Sequence, residues 1–360
     1  MFATELPRGV RFFCFRKNMN KYFVSIILTL LSLCQTTRAQ SVAKYAGEFL
    51  AIGVGGRALG LGGAYSALAN DVTAGYWNPA ALTRINYPEV MLMHDERFAG
   101  LLNYDYGAIA FPYGANATLA ISAIRLGVDG IPNTTHAGVD ANGNPTTDPS
   151  SIVGLDESQI TYFNSADWAI YASYAQKYSE KLSYGINVKF IRETISDTAA
   201  TGIGFDIGIL YSPIENLFLA ANAQDITTTL VAWSTGTNEL ISPTLKLGAA
   251  YTMDFLKGKV SPATDIDIRF ENRQFASIAN LGPVSFDPHI GLEYDYKNTV
   301  AVRVGYSDVK QLTLGAGLHL RKIDLDYSYA RFSEDNDLGD THRISLRIML
   351  QSSKFARASE

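Results

Sequence analysis

The chain has 360 residues, of which 47% are hydrophobic, 18% charged and 11% aromatic, with 30 Gly, 20 Tyr and 18 Phe and a formal charge of −5. Soluble domains carry about 25% charged residues. So low a charge, with no long apolar run beyond the N-terminus, excludes both a disordered chain and a helical membrane protein.

Residues Tyr22 to Cys34 form an apolar stretch behind Lys21, and Thr37-Arg38-Ala39 places small residues where a signal peptidase reads. Residues 1–39 therefore read as a signal peptide cleaved after Ala39. Met19 is its natural start, which leaves 1–18 as an upstream extension. Leu33 occupies the place where a lipoprotein box before Cys34 requires a small residue. Both cysteines, Cys14 and Cys34, fall in this leader, so the mature chain has no thiol for disulfides, thiolate metal sites or nucleophilic catalysis. The leader takes six basic residues and one acidic residue from totals of 30 and 35, leaving 24 against 34. An acidic chain of this kind is not a nucleic-acid binder.

Residues 40–87 are helix-like over 43–52 and 65–69 and are interrupted by glycine clusters. They read as a segment distinct from the rest of the chain. Gly53, Gly55 and Ala58 match a G-x-G-x-x-A phosphate loop, but no hydrophobic strand precedes them, so a nucleotide site is not expected.

Residues 88–350 repeat one pattern: about ten residues of alternating apolar and polar character, then a turn. In 182–190, Leu, Tyr, Ile, Val and Phe alternate with Ser, Gly, Asn and Lys, and in 203–211 Ile, Phe, Ile, Ile and Tyr alternate with Gly, Asp and Gly. Period two means opposite faces of one strand. A soluble sandwich also alternates. Strand length, the Gly-rich and mixed-charge polar face, and Tyr near strand ends point instead to a transmembrane barrel. The pattern predicts fourteen antiparallel strands, at 88–98, 101–111, 115–126, 167–177, 181–195, 202–211, 216–224, 244–253, 264–272, 288–296, 299–306, 311–320, 323–331 and 342–350. Residues 351–360 form a C-terminal tail. Connections alternate between short inner turns, the longest at 254–263, and long outer loops at 127–166, 225–243 and 273–287. The first outer turn is the exception. That parity assigns Tyr104, Tyr106, Trp168, Tyr306 and Tyr329 to an outer lipid-facing girdle, and Tyr174, Tyr184, Tyr211, Tyr251 and Tyr296 to an inner one. Two segments resist it: 90–93 is apolar on both faces and 117–125 takes either parity, so a bulge, kink or covered backbone is expected there.

The polar faces gather lumen charges, chiefly Asp206, Lys246, Asp267, Arg269, Glu293, Arg303, Arg343 and Arg347, with Asp265, Glu271, Arg321, Asp324 and Asp326 beside them. Such charges can form a selectivity ring. The preferred reading is that they pair across strands, bracing the wall or holding a plug at roughly 0.2 to 1 kcal/mol per pair. Asp140, Asn142, Asn144 and Asp148, with Asp335, Asp337 and Asp340, offer oxygen ligands for Ca²⁺ in outer loops. The glycine and distal acid of an EF-hand are misplaced, so a solvated acidic loop is expected. The five histidines show no paired metal spacing. His342 and Ser345, three apart on one strand, would face opposite sides and make no nucleophilic pair. No cofactor and no enzymatic activity are expected.

The run Arg57-Ala58-Leu59-Gly60-Leu61-Gly62-Gly63, continuing through Asn70-Asp71 to Trp77-Asn78-Pro79-Ala80-Ala81-Leu82, resembles the N-terminal signature of the PorV/PorQ family of outer-membrane proteins, relatives of the FadL channels. The resemblance implies a fourteen-stranded barrel in the bacterial outer membrane with residues 40–87 as an N-terminal plug. Its specific positions are Arg57, Gly62, Gly63, Asn70, Asp71, Trp77, Asn78, Pro79 and Ala80. The physical reading of the last three is structural, with Pro79 setting a turn and Asn78 capping it. PorV-like members bind secreted cargo proteins and pass them to a type IX translocon. The resemblance therefore implies binding or handing on of secreted cargo as the main expectation, with outer-membrane lipid as the surrounding partner. The alternative is FadL-like uptake of hydrophobic small molecules through a lateral gap, for which 115–126 is the candidate strand.

Overall fold

The structure, a computed structural model, describes residues 47–98, 100–271, 277–307, 311–331, 340–352 and 354–357. The expected signal peptide, residues 40–46, the positions Asn272 and Arg273, the loop acids Asp335 and Asp337, and 358–360 lie outside these.

Fourteen antiparallel strands form a closed barrel. They are β1 (Glu89–Arg97), β2 (Leu102–Tyr113), β3 (Ala117–Asn133), β4 (Thr161–Ser179), β5 (Leu182–Ile195), β6 (Thr198–Tyr211) and β7 (Leu217–Gln224). The circuit continues with β8 (Thr244–Tyr251), β9 (Gly258–Arg269), β10 (Val284–Tyr296), β11 (Val300–Tyr306), β12 (Leu312–His319), β13 (Ile323–Arg331) and β14 (Asp340–Met349). Pairing of β1 with β14, from Glu89 opposite Met349 to Glu96 opposite His342, closes the cylinder. Closure satisfies the backbone groups that an edge would leave bare in hydrocarbon, where each costs several kcal/mol.

Alternation sorts the side chains. On β6, Ile203, Phe205, Ile207, Ile209 and Tyr211 are exposed on the outside, and Asp206 is buried within. Trp168, Tyr184, Tyr211, Tyr251, Tyr296 and Tyr306 stand exposed on the outer surface, as the girdles require. Tyr104 and Tyr106 do not. Both are buried on the inner face of β2, whose outer face carries Asp105, Gly107 and Phe111 instead. The parity assigned from sequence is reversed in this strand because the lumen there is filled by apolar protein, so the apolar residues face inward, while Asp105 on the outside is paired with His94 and Arg125. The same fact explains 90–93: Leu92 meets lipid while Met91 and Met93 are buried inside.

Three boundaries also differ from expectation. β3 and β4 extend beyond the membrane-crossing core to Asn133 and Thr161, converting much of loop 127–166 into a projecting hairpin. Its irregularity lies between Val128 and Ile131, at Gly130 with φ 69°, and not in 117–125, which pairs without interruption. The inner connection at 254–263 is a tight hairpin: Met253–Phe255 pairs with Gly258 to Val260, and Leu256 and Lys257 take φ of 42° and 65°. Arg321 is exposed in an inner turn and not in the lumen.

Residues 47–87 occupy the lumen as short helical turns, Glu48–Ala51, Gly56–Gly60, Ala74–Trp77 and Pro79–Arg84, joined by irregular backbone. Inward glycines of the wall let that backbone approach. A Cβ on Gly291 would sit 2.7 Å from the Leu61 carbonyl oxygen, and one on Gly185 or Gly305 would strike plug backbone at Pro79 or Leu61. Replacing Gly291 by Ala is expected to destabilise the folded barrel by about 1–3 kcal/mol through overpacking. Gly107→Ala, which meets only Leu92 Cδ2 at 3.6 Å, serves as the mild control. Thermal unfolding in detergent checks the order.

Candidate functional site

An irregular segment at membrane depth needs hydrogen-bond partners from its surroundings, and the wall supplies them. Arg57 donates to Glu293 at 2.8 and 2.7 Å and to Asn70 Oδ1 at 2.6 Å. Glu293 also accepts from Arg303 at 2.6 Å, and Arg303 reaches Asp326 at 2.7 Å. The plug and three strands therefore share one buried chain of charges. Asp71 accepts from the Tyr65 hydroxyl and the Thr73 amide, closing the turn that Asn70 begins. Asn78 accepts from the Ala80 amide at 3.1 Å and donates to the Ile209 carbonyl of β6 at 3.0 Å, with Pro79 opening the 3-10 turn behind it. Trp77 Nε1 donates to the Val54 carbonyl. Gly62 takes φ 66°, and a side chain on it would strike the Tyr306 backbone. Gly63 takes φ 85° beneath His289.

Most of the other lumen charges are paired, whereas Asp265 accepts from the Tyr65 and Ser66 amides of the plug. Asp206 and Asp225 flank Lys189 at 3.1 and 2.7 Å. Lys246 contacts Asp267, which also accepts from Arg269. Arg343 bonds Asp95 at 3.0 Å, and Arg347 bridges Asp324 and Glu89. Lys189, Glu89, Asp95 and His289 were not singled out from the sequence. Their inward placement was available from alternation, but their partners lie on strands whose register it does not give.

Above the plug, on the long-loop side, lies a cavity of about 210 Å³. Its floor is plug: Ile52, Leu59 and Trp77, with the Tyr76 ring edge-on to Trp77 at 5.0 Å. Its sides are Arg97, Lys246, Asp267, Arg269, His289 and Arg343. Arg97 and Arg343 both lean on Asp95, and Lys246 and Arg269 both lean on Asp267. The chamber thus combines an apolar, aromatic floor with polar sides, where four cations share two carboxylates and Ser307, Gln311 and Thr313 stand beside them.

Beyond the membrane, Asp140 accepts from the amides of Asn144 and Asn142, both at 2.8 Å. These bonds hold its carboxyl below the usual range, the Asn144 amide contributing most. No group of three or more His, Cys, Asp or Glu among the described residues is arranged to hold a metal. His342 faces outward to the Tyr327 hydroxyl at 2.7 Å, while Ser345 faces inward to the Gly56 amide at 3.0 Å, so the two lie on opposite faces.

The chain matches no protein-family model and no curated protein. Solved structures share its fold. The toluene transporter TbuX of Ralstonia pickettii is 15% identical with a TM-score of 0.54, covering 83% of this chain and 99% of its own. The toluene transporter TodX of P. putida is 13% identical with a TM-score of 0.56 over 83% and 99%. A Pseudomonas aeruginosa FadL homologue is 12% identical with a TM-score of 0.50 over 80% and 96%. The fold is therefore the barrel that these solved structures share.

Two measurements test this geometry. Arg303→Met leaves Asp326 without its cation and is expected to cost about 3–5 kcal/mol, the range for breaking a buried pair, read as a lower unfolding temperature. The amides of Asn142 and Asn144 are expected to lose exchange protection only on acidification below the ordinary aspartate range. A depressed carboxyl stabilises the turn at neutral pH and releases it as pH falls through the lowered value. Asp140→Asn removes that pH dependence.

Proposed function

We propose that the protein admits hydrophobic small molecules across the outer membrane, receiving them in the chamber above the plug. The observation that carries this reading is the chamber itself. A dry apolar cavity of roughly 150 Å³ is enough to hold benzene, and this one has about 210 Å³ over a floor of Ile52, Leu59 and Trp77. Each cation on its sides touches a carboxylate, Arg97 and Arg343 sharing Asp95 and Lys246 and Arg269 sharing Asp267, so the apolar contact for a neutral occupant comes from the floor. The shared fold of the toluene transporters supports the reading by analogy only. The other expectation, handing secreted cargo to a translocon, has no observation in its favour.

The wall beside 115–126 is fully paired, β2 to β3 from Asn103 to Tyr113 and β3 to β4 from Ala117 to Val128. Sideways exit through that wall would therefore require its hydrogen bonds to part.

The test uses Trp77 as reporter, with Trp168 and Trp233 replaced by Phe. Bromobenzene is expected to quench Trp77 in a saturable manner. Ala51→Trp, at an exposed position lining the chamber, would add its own signal, so this variant is read by competition of toluene in isotope uptake. It is expected to weaken toluene uptake about tenfold, the equivalent of losing roughly 1.4 kcal/mol of binding. Unquenched Trp77, or uptake equal to wild type with the chamber filled, overturns the proposal.

A further inference from the structure

Hydrogen bonds hold the plug to most of the wall. Val72 bonds β1 through Glu89, Thr83 and Gly75 bond β5, and Asn78 bonds β6. Trp77 is held by β7, Ser66 by β9, Arg57 by β10, Gly60 by β12 and Gly56 by β14. Among the described residues β8, β11 and β13 have no hydrogen bond to the plug, but each lies between strands that do; from β2 to β4 three adjacent strands share a single one, at Thr118 at the inner end. Among the described residues no hydrogen bond joins β2 or β4 to the plug. Their inner faces offer Ala108, Ala110, Ala169 and Ala175, the ring of Tyr171, and the phenols of Tyr104 and Tyr106, whose oxygens reach no partner on the plug. This seam is held by packing alone, except at its inner end.

There a residue from beyond β14 closes it. The Arg357 amide donates to the Asn86 carbonyl at 2.8 Å. Its guanidinium donates to the Ile85 carbonyl at 3.1 and 2.7 Å, to the carbonyls of Ala115 and Ala117 at 3.2 and 2.8 Å, and to Thr118 Oγ1 at 2.6 Å. Thr118 in turn donates to the Leu82 carbonyl at 3.0 Å. One side chain therefore ties the end of the plug to the β2–β3 turn and the base of β3. None of these acceptors is a carboxylate. A planar fork with five donors meets four separate acceptors in this geometry, which a lysine ammonium does not reproduce.

We infer that Arg357 is the inner latch of the barrel: together with Thr118 it pins the plug to three adjacent strands of wall that the plug does not otherwise hydrogen-bond, and its release opens the plug–wall seam along β2–β4 towards the short-turn side. On release the Arg357 side chain has room to turn away, into a groove lined by Ala115, Asn116, Lys177 and Tyr178 between the β2–β3 and β4–β5 turns. The latch works whatever the chamber binds.

The seam is read directly by a reporter thiol, because the chain beyond residue 34 contains no cysteine. Ala108→Cys places that thiol on the inner face of β2. Arg357→Gln is expected to raise its rate of reaction with a small cationic thiosulfonate about tenfold, and Arg357→Lys to behave like Gln and not like wild type. Lys354→Ala, outside the latch, is expected to change nothing. An unchanged rate in folded, heat-modifiable Arg357→Gln barrels overturns the inference. If that variant does not assemble, Asn86→Cys with Ala356→Cys decides. Oxidation to the disulfide is expected to abolish ion conductance openings in planar bilayers and reduction to restore them, whereas conductance indifferent to the crosslink overturns the latch. Ion conductance and thiol labelling involve no hydrophobic ligand, so failure of the chamber proposal leaves this outcome readable.

Discussion

Irregular backbone can lie at membrane depth only where something other than lipid satisfies it, and the remaining architecture answers that requirement. Fourteen strands close a cylinder too wide for its own side chains to fill. The space is occupied by a segment with little regular structure, so its amides and carbonyls look outward for partners. The wall supplies carboxylates, amides and hydroxyls at chosen inward positions, such as Asp265 for the Tyr65 and Ser66 amides and Asn222 for the Trp77 carbonyl. The lumen charges are therefore the solvent of the plug.

That arrangement divides the barrel into two territories. From β5 round to β14 the inner face is largely polar or bare glycine, and the plug is bonded to β5, β6, β7, β9, β10, β12 and β14. From β2 to β4 the inner face is mostly small, apolar and aromatic, and the plug is hydrogen-bonded to it at the inner end alone, through Thr118 and Arg357. Movement of the plug costs least on the second side, since beyond that inner end separating alanines and a tyrosine edge breaks no hydrogen bond. Parting Arg57 from Glu293 would strand a buried charge.

Much of this was legible beforehand. Alternation gave the strand number because β5, β6, β10 and β13 each put charge or glycine inside and large apolar groups outside, and the short turns between them came from parity. It misplaced Tyr104 and Tyr106 because a wall strand against an apolar plug turns its apolar residues inward, and Asp105, paired with His94 and Arg125, stands on the outside. The turn at Leu256 and Lys257 was missed because neither residue type advertises a positive φ; Asn or Gly in that place would have shown it. The partners of Arg57 and Arg303 were beyond reach, since they depend on strand register. Arg357 sits in a polar tail with no periodicity, and nothing in its sequence neighbourhood distinguishes it from a solvated arginine.

The charge chain through Arg57 also sets an order of events. Arg57 belongs to the first described stretch of the chain, and its carboxylate partner lies 236 residues later. Arg303, which shares that carboxylate, and Asp326, which completes the chain, come later still. The plug therefore has no complete set of partners until almost the whole polypeptide is present. Contacts so distant in sequence form late, because the loop between them must be closed first. The segment made earliest is the one that acquires structure last, and any factor that escorts the unfolded chain must keep those residues free of other partners until the cylinder shuts around them.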